Sequence, residues 1–185
     1  MSPRREVVVK LAPVTDPEFI LESARLRLRL YRPEDACDLE KILGDPETMS
    51  YYPSPFTRVQ VDAWIADQLE RYERDGFGLW AITLKLTGEF LGNCGPAVRV
   101  VDGHAETELG WHVNRAHWNR GIATEAATVC RDHCFGGLGI DRLISLVRPV
   151  NKPSGRVAEK IGMSVEKEVQ YANLLHFVYA LEPGG

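Results

Sequence analysis

Residues 25–31 alternate strictly between polar and apolar, Arg-Leu-Arg-Leu-Arg-Leu-Tyr. A period of two predicts a strand with Leu26, Leu28 and Leu30 on its inner face. Pro33-Glu34-Asp35 then opens a helix, because proline suits a first turn and acids suit its positive end. Ala36, Leu39, Ile42 and Leu43 form its apolar stripe, and Gly44-Asp45-Pro46 ends it. After the aromatic, proline-rich loop 51–56, helical spacing returns at Val61, Trp64, Ile65 and Leu69, predicting a helix over 58–74 stopped by Asp75-Gly76. The period next changes to that of strands, at 78–86, 90–101 and 106–114, separated by turns at Thr87-Gly88 and Asp102-Gly103. A helix follows Gly121 and runs to Phe135, with Ile122, Ala126, Val129 and Cys130 on one face. A strand at 142–147, a short helix at 153–161 and a hairpin of strands at 163–171 and 174–181 complete the pattern. Residues 1–22, with Pro3, Pro13 and Pro17, read as irregular, and 1–20 as a loose arm. The order β-α-α-β-β-β-α-β-α-β-β predicts an α/β (α+β) fold: one mixed sheet with helices on both faces.

A chain of 185 residues without repeat or linker is expected to form a single domain over 1–185. Its 44% hydrophobic and 26% charged residues are ordinary for a globular protein. A net charge of −4 gives no sign of a nucleic-acid partner. No apolar run approaches the ~20 residues of a membrane span. Near the N-terminus, Val7 to Val9 is too short an apolar run for a signal peptide, so the expectation is a cytoplasmic protein. Cys130 and Cys134 lie four apart on a helix, with His133 between them, but no second ligand pair stands at metal-binding spacing. They read as buried thiols, and no metal site is expected.

Three groups of residues carry candidate chemistry. Residues 118–126, Trp-Asn-Arg-Gly-Ile-Ala-Thr-Glu-Ala, put the side-chain-poor Gly121 and Ala123 at a helix start. Free N–H groups and the positive end of the helix dipole make that start an anion cradle, unless Gly121 merely begins a helix. Glu106, Glu108 and His112 fall on one face of one strand, either as candidate bases or as a solvated strand face. Asn151 stands where a helix N-cap belongs, with Pro153 and Ser154 after it.

Taken in order, the motifs resemble the GNAT N-acetyltransferase superfamily, and within it the ribosomal-protein (RimJ/RimL-type) N-terminal acetyltransferase branch. The resemblance covers residues 22–181. It rests on Leu21-Glu22-Ser23-Ala24-Arg25-Leu26, Gly78-Leu79-Trp80-Ala81-Ile82, Leu91-Gly92-Asn93-Cys94-Gly95, Glu108-Leu109-Gly110-Trp111, the Gly121 stretch, Asn151-Lys152-Pro153-Ser154 and Glu159-Lys160-Ile161-Gly162-Met163. It implies a mostly antiparallel central sheet and acetyl-CoA as cosubstrate. By the same resemblance the cradle of Asn119, Arg120, Gly121, Ile122, Ala123 and Thr124 holds the pyrophosphate of coenzyme A. The family's usual Arg or Gln at the head of the loop is Trp118 here. The resemblance further implies that two strands splay to admit the pantetheine arm against the backbone of Trp111, His112 and Val113. It assigns Glu108 as general base, Asn151 as a pantetheine contact and Ser154 as the group at the leaving thiolate. The acceptor it implies is a primary amine, either a protein or peptide N-terminus or a small molecule. The alternative is a non-catalytic acyl-CoA-binding regulatory module. The acidic balance tilts the acceptor toward cations. A homodimer formed through the closing hairpin is compatible with the pattern.

Overall fold

A computed structural model of the protein describes residues 19–184. Eight strands form one sheet in the spatial order β1-β2-β3-β4-β5-β6-β8-β7. In chain order these are β1 (Phe19–Glu22), β2 (Leu26–Arg29), α1 (Ala36–Leu43), α2 (Arg58–Asp75), β3 (Trp80–Leu84), β4 (Phe90–Val101), β5 (His104–Val113), α3 (Ile122–Gly136), β6 (Leu143–Val147), α4 (Lys152–Lys160), β7 (Ser164–Tyr171) and β8 (Leu174–Leu181). Every pairing is antiparallel except β5 with β6. The mixed, mostly antiparallel sheet expected from the sequence is therefore present.

Successive residues of a strand point to opposite faces. In β4 every residue from Phe90 to Ala97 is buried, so both faces are covered there. The covering layers are the α1–α2 pair and the α3–α4 pair. Leu39, Ile42, Val61 and Ile65 from the first pair and Ala126, Cys130 and Cys134 from the second join one core with Leu26, Leu28 and Ile82. Cys130 and Cys134 are fully buried, as the helical stripe suggested.

One element departs from expectation. Phe19–Glu22, read as part of an irregular segment, is the edge strand β1, paired antiparallel with β2. Four residues are too few to display a period, and the strand is held by its partner rather than by its own pattern. The rest of the expected N-terminal arm, residues 1–18, lies outside the described residues.

Candidate active site

The β4–β5 ladder runs in unbroken register from Gly92↔Val113 to Val101↔His104. Without a bulge, Glu106, Glu108, Gly110 and His112 share one face of β5. On its other edge β5 meets the parallel β6 at a single register pair, Glu108↔Ile144. Beyond it the two backbones separate. The buried Ser145 hydroxyl spans the opening by donating to the Leu109 carbonyl at 2.7 Å. Gly110 to Val113 then have a strand neighbour only on the β4 side. A cavity of about 280 Å³ fills this opening. Leu109 to His112 line it from β5 and Ser145 to Val147 from β6, with Arg148 just after β6 and Asn151 and Ser154 at one end. Tyr51, Tyr52 and Pro53, Trp64 of α2, and Tyr171 and Leu174 of the β7–β8 hairpin form the remaining wall.

The C-terminal end of β5 leads directly to the start of α3. The indole N–H of Trp118 donates to the Val113 carbonyl at 2.8 Å, fixing the intervening turn to the strand end. Asn119 and Gly121 both adopt left-handed backbone, with φ of 59° and 77°. Gly121 is the N-cap of α3, no side chain caps the helix, and the first helical bond is Glu125 N–H to the Gly121 carbonyl. The N–H groups of Ile122, Ala123 and Thr124 are therefore open to a ligand. Among the described residues a Cβ at Gly121 would meet only the Arg25 guanidinium, at 3.5 Å. Arg25 is a cation at the cradle that sequence reasoning did not single out. Its Nη2 donates to the Arg120 carbonyl at 2.9 Å and its Nε to Glu125 Oε2 at 2.7 Å. Arg120 itself is exposed beside the loop.

The three candidate bases have different surroundings. Glu106 pairs with Arg142 at 3.2 Å and is not among the cavity-lining residues. Glu108 lines the cavity, and its Oε2 accepts from Arg99 Nε of β4 at 2.7 Å. Its Oε1 has no hydrogen-bond partner among the described residues. His112 also lines the cavity, but both ring nitrogens are engaged: Nδ1 with Asn93 Oδ1 at 3.0 Å and Nε2 with the Tyr52 hydroxyl at 2.8 Å. Because Asn93 Oδ1 can only accept, Nδ1 carries the proton and Nε2 accepts from Tyr52.

Burial, reinforced by the positive charge of Arg99, pushes the His112 imidazole down from 6.5 to about 4. It is neutral at pH 7. In the unfolded chain His112 protonates near its ordinary value, so between about pH 6.5 and 4 the unfolded state binds the extra proton. The stability contributed by the neutral ring is fully present above that window and is lost as pH falls through it. His112 is therefore expected to titrate near pH 4 when its ring C–H shifts are followed by NMR. A midpoint near 6.5 would contradict the buried, neutral assignment.

Asn151 N-caps α4, its Oδ1 accepting from the Ser154 N–H at 3.2 Å. The capping reading of Asn151 holds, and its Nδ2 is left over. Ser154 lines the same cavity as Glu108. Trp111, Glu108, His112, Asn151 and Ser154 thus meet around one opening, with the α3 start beyond the end of β5. Tyr52, from the aromatic loop 51–56, Arg99 and Arg148 belong to it too, and sequence reasoning missed the two arginines as site residues. Trp64, read as core, is partly buried and forms part of the wall.

Residues 25–164 match the acetyltransferase (GNAT) domain. The chain is 36% identical over 160 residues to the protein YkkB of Bacillus subtilis, covering 86% of this chain and 93% of that one. An acetyltransferase from Agrobacterium tumefaciens has a similar solved structure: TM-score 0.78, 29% identity, 88% of this chain and 93% of that one. RimJ of Mycobacterium smegmatis, solved in complex with a CoA disulfide, is similar with a TM-score of 0.63 and 26% identity, over 85% of this chain and 82% of that one.

Proposed function

The chain belongs to the GNAT acetyltransferase family, and from that premise we propose that it transfers the acetyl group of acetyl-CoA directly to a primary amine. The acceptor is a peptide N-terminus or a small amine. The observation that carries this reading is the opening between β5 and β6, bounded by Glu108 where it begins and by Asn151 and Ser154 at one end.

The residues present fit a nucleotide thioester. The open N–H groups of Ile122, Ala123 and Thr124 suit the pyrophosphate, at the positive end of α3. The left-handed Gly121 keeps side-chain bulk away from them, and Asn119 and Arg120 flank the phosphates. Backbone groups of Trp111 to Val113 lack a neighbour on the β6 side, so an extended arm with two amides pairs there as an added strand would. An N–H of this segment is placed to polarise the thioester carbonyl as negative charge develops on its oxygen.

At pH 7 an aliphatic amine, with a pKa near ~10, is almost wholly protonated, and a peptide α-amine, near ~8, much less so. Either must lose a proton before or as it attacks. The free Oε1 of Glu108 takes that proton, directly or through one water. Arg99 holds Oε2 and fixes the direction of the carboxylate. His112 is the weaker candidate because both its nitrogens are occupied. It instead holds the Tyr52 hydroxyl on the cavity wall. The Ser154 hydroxyl protonates or hydrogen-bonds the departing thiolate, and Asn151 Nδ2 is free to bind the arm.

Incubation with acetyl-CoA and a panel of N-terminal peptides and small amines tests the reading. Thiol release accompanied by the mass gain of one acetyl group on an amine is expected. Tight acetyl-CoA binding with no acetylated product across the panel would favour the regulatory alternative.

A further inference from the structure

We propose that the acceptor carries a carboxylate close to its reactive amine, and that the guanidinium groups of Arg99 and Arg148 bind that carboxylate. This rests on the acetyl-transfer reading and names the class of acceptor. Arg148 follows the C-terminal end of β6 and reaches the opposite wall, where its Nη1 donates to the Tyr51 carbonyl at 3.2 Å. Both residues line the cavity. The Arg148 Nε is buried without a hydrogen-bond partner, one of only four such side-chain atoms among the described residues. Arg148 also has no ion-pair partner among the described residues. An arginine cannot shed its charge, and an unpaired buried donor on a charged group is costly. An anionic ligand in the cavity supplies the missing counter-charge.

Arg99 reaches the cavity from β4. Among the described residues only its Nε is engaged, with Glu108, and the fork of its two terminal nitrogens has no partner. That fork matches the two oxygens of a carboxylate. With His112 neutral, the charges lining the cavity among the described residues are Arg99 and Arg148 against the single carboxylate of Glu108. The lining is net positive whatever the state of His176. The acidic balance of the whole chain pointed toward a cationic acceptor; the local field points the other way. A polycationic amine would face two guanidinium groups, whereas an amino acid or an acidic peptide end would be drawn in. Sharing Arg99 between Glu108 and the acceptor carboxylate also brings the acceptor's amine toward the free Glu108 Oε1.

Two sources supply this chemistry: the α-carboxylate of a free amino acid, or an acidic side chain at a peptide N-terminus. They are separated by calorimetry in the presence of saturating CoA. One arm compares alanine with alaninamide. The other compares the amidated peptides Ala-Glu-Ala, Ala-Gln-Ala and Ala-Lys-Ala. In at least one arm the carboxylate-bearing compound should bind about tenfold or more tightly than its neutral counterpart, the scale of a charge-assisted contact. Arg148→Gln should remove most of that advantage, while Arg148→Lys, keeping charge without the fork, should retain part of it. The proposal is overturned if neither arm favours the carboxylate, if the lysine peptide binds best, or if the advantage survives in both Arg148→Gln and Arg99→Gln. Thiol release from the same compounds separates the two readings. Equal acetylation of acids and amides keeps acetyl transfer and sinks the acidic acceptor. Preferential binding of an acid with no thiol release keeps the carboxylate-binding pair of arginines and sinks acetyl transfer.

Discussion

Glu108→Gln is expected to lower turnover by about 10²- to 10⁴-fold, the usual range for losing a positioned general base, while acetyl-CoA affinity stays within a factor of about two. Glutamine is the informative substitution. Its side-chain oxygen still accepts from Arg99 Nε, so the 2.7 Å contact and the cavity shape are preserved. Alanine would instead leave the half-buried Arg99 without its counterion and confound lost basicity with lost packing. The loss in the Gln variant should be largest at neutral pH and shrink as pH rises, because the amine then deprotonates without assistance. Steady-state kinetics from pH 6.5 to 9.5, with calorimetry for the cosubstrate, measure both parts. Turnover within threefold of wild type would remove Glu108 from the mechanism and leave His112 as the candidate base lining the cavity.

The second large effect concerns the cradle. Gly121→Val should weaken acetyl-CoA binding by at least about tenfold, and Gly121→Ala by much less. At φ 77° a β-branched residue is a genuine outlier, and strain of this kind costs roughly 1–3 kcal/mol. The described residues leave room for a Cβ, since their only atom near it is in the Arg25 guanidinium at 3.5 Å, an ordinary contact. What the valine methyls would obstruct is the space over the open N–H groups of the first turn of α3. Alanine shares the backbone strain but not the bulk, so the difference between the two variants isolates phosphate approach. Equal affinities for valine and wild type, by calorimetry, would show that the phosphates bind elsewhere.

How much of this was legible in the sequence depended on how local each feature is. The strands Phe90–Val101 and Leu174–Leu181 end where turn residues mark them, and Gly121 heads its helix as the small-residue pattern suggested. Such features are set within a few residues. β1 was missed because four residues held by a partner strand have no period of their own. Arg99 and Arg148 were missed for a related reason. The Arg99–Glu108 contact is diagonal across two strands, and only the full β4–β5 register brings the two side chains together. Arg148 follows a short strand, and its contact with Tyr51 spans 97 residues of sequence. Trp64 shows the limit of periodicity from the other side. It sits on the apolar stripe of α2, which runs on from the core into the cavity wall, so spacing cannot distinguish a packing residue from a lining one. The chemistry of the donor half was therefore readable from short motifs, whereas the acceptor half is assembled by long-range contacts.

The most direct test of where the cosubstrate lies is amide hydrogen exchange with and without acetyl-CoA. Protection is expected to be concentrated in Trp111 to Val113 and in Ile122 to Thr124, the backbone groups open to the arm and to the phosphates. Protection confined to the smaller cavity between α4 and β8, around Lys152, Arg156 and Tyr179, with both of those segments unchanged, would contradict the account.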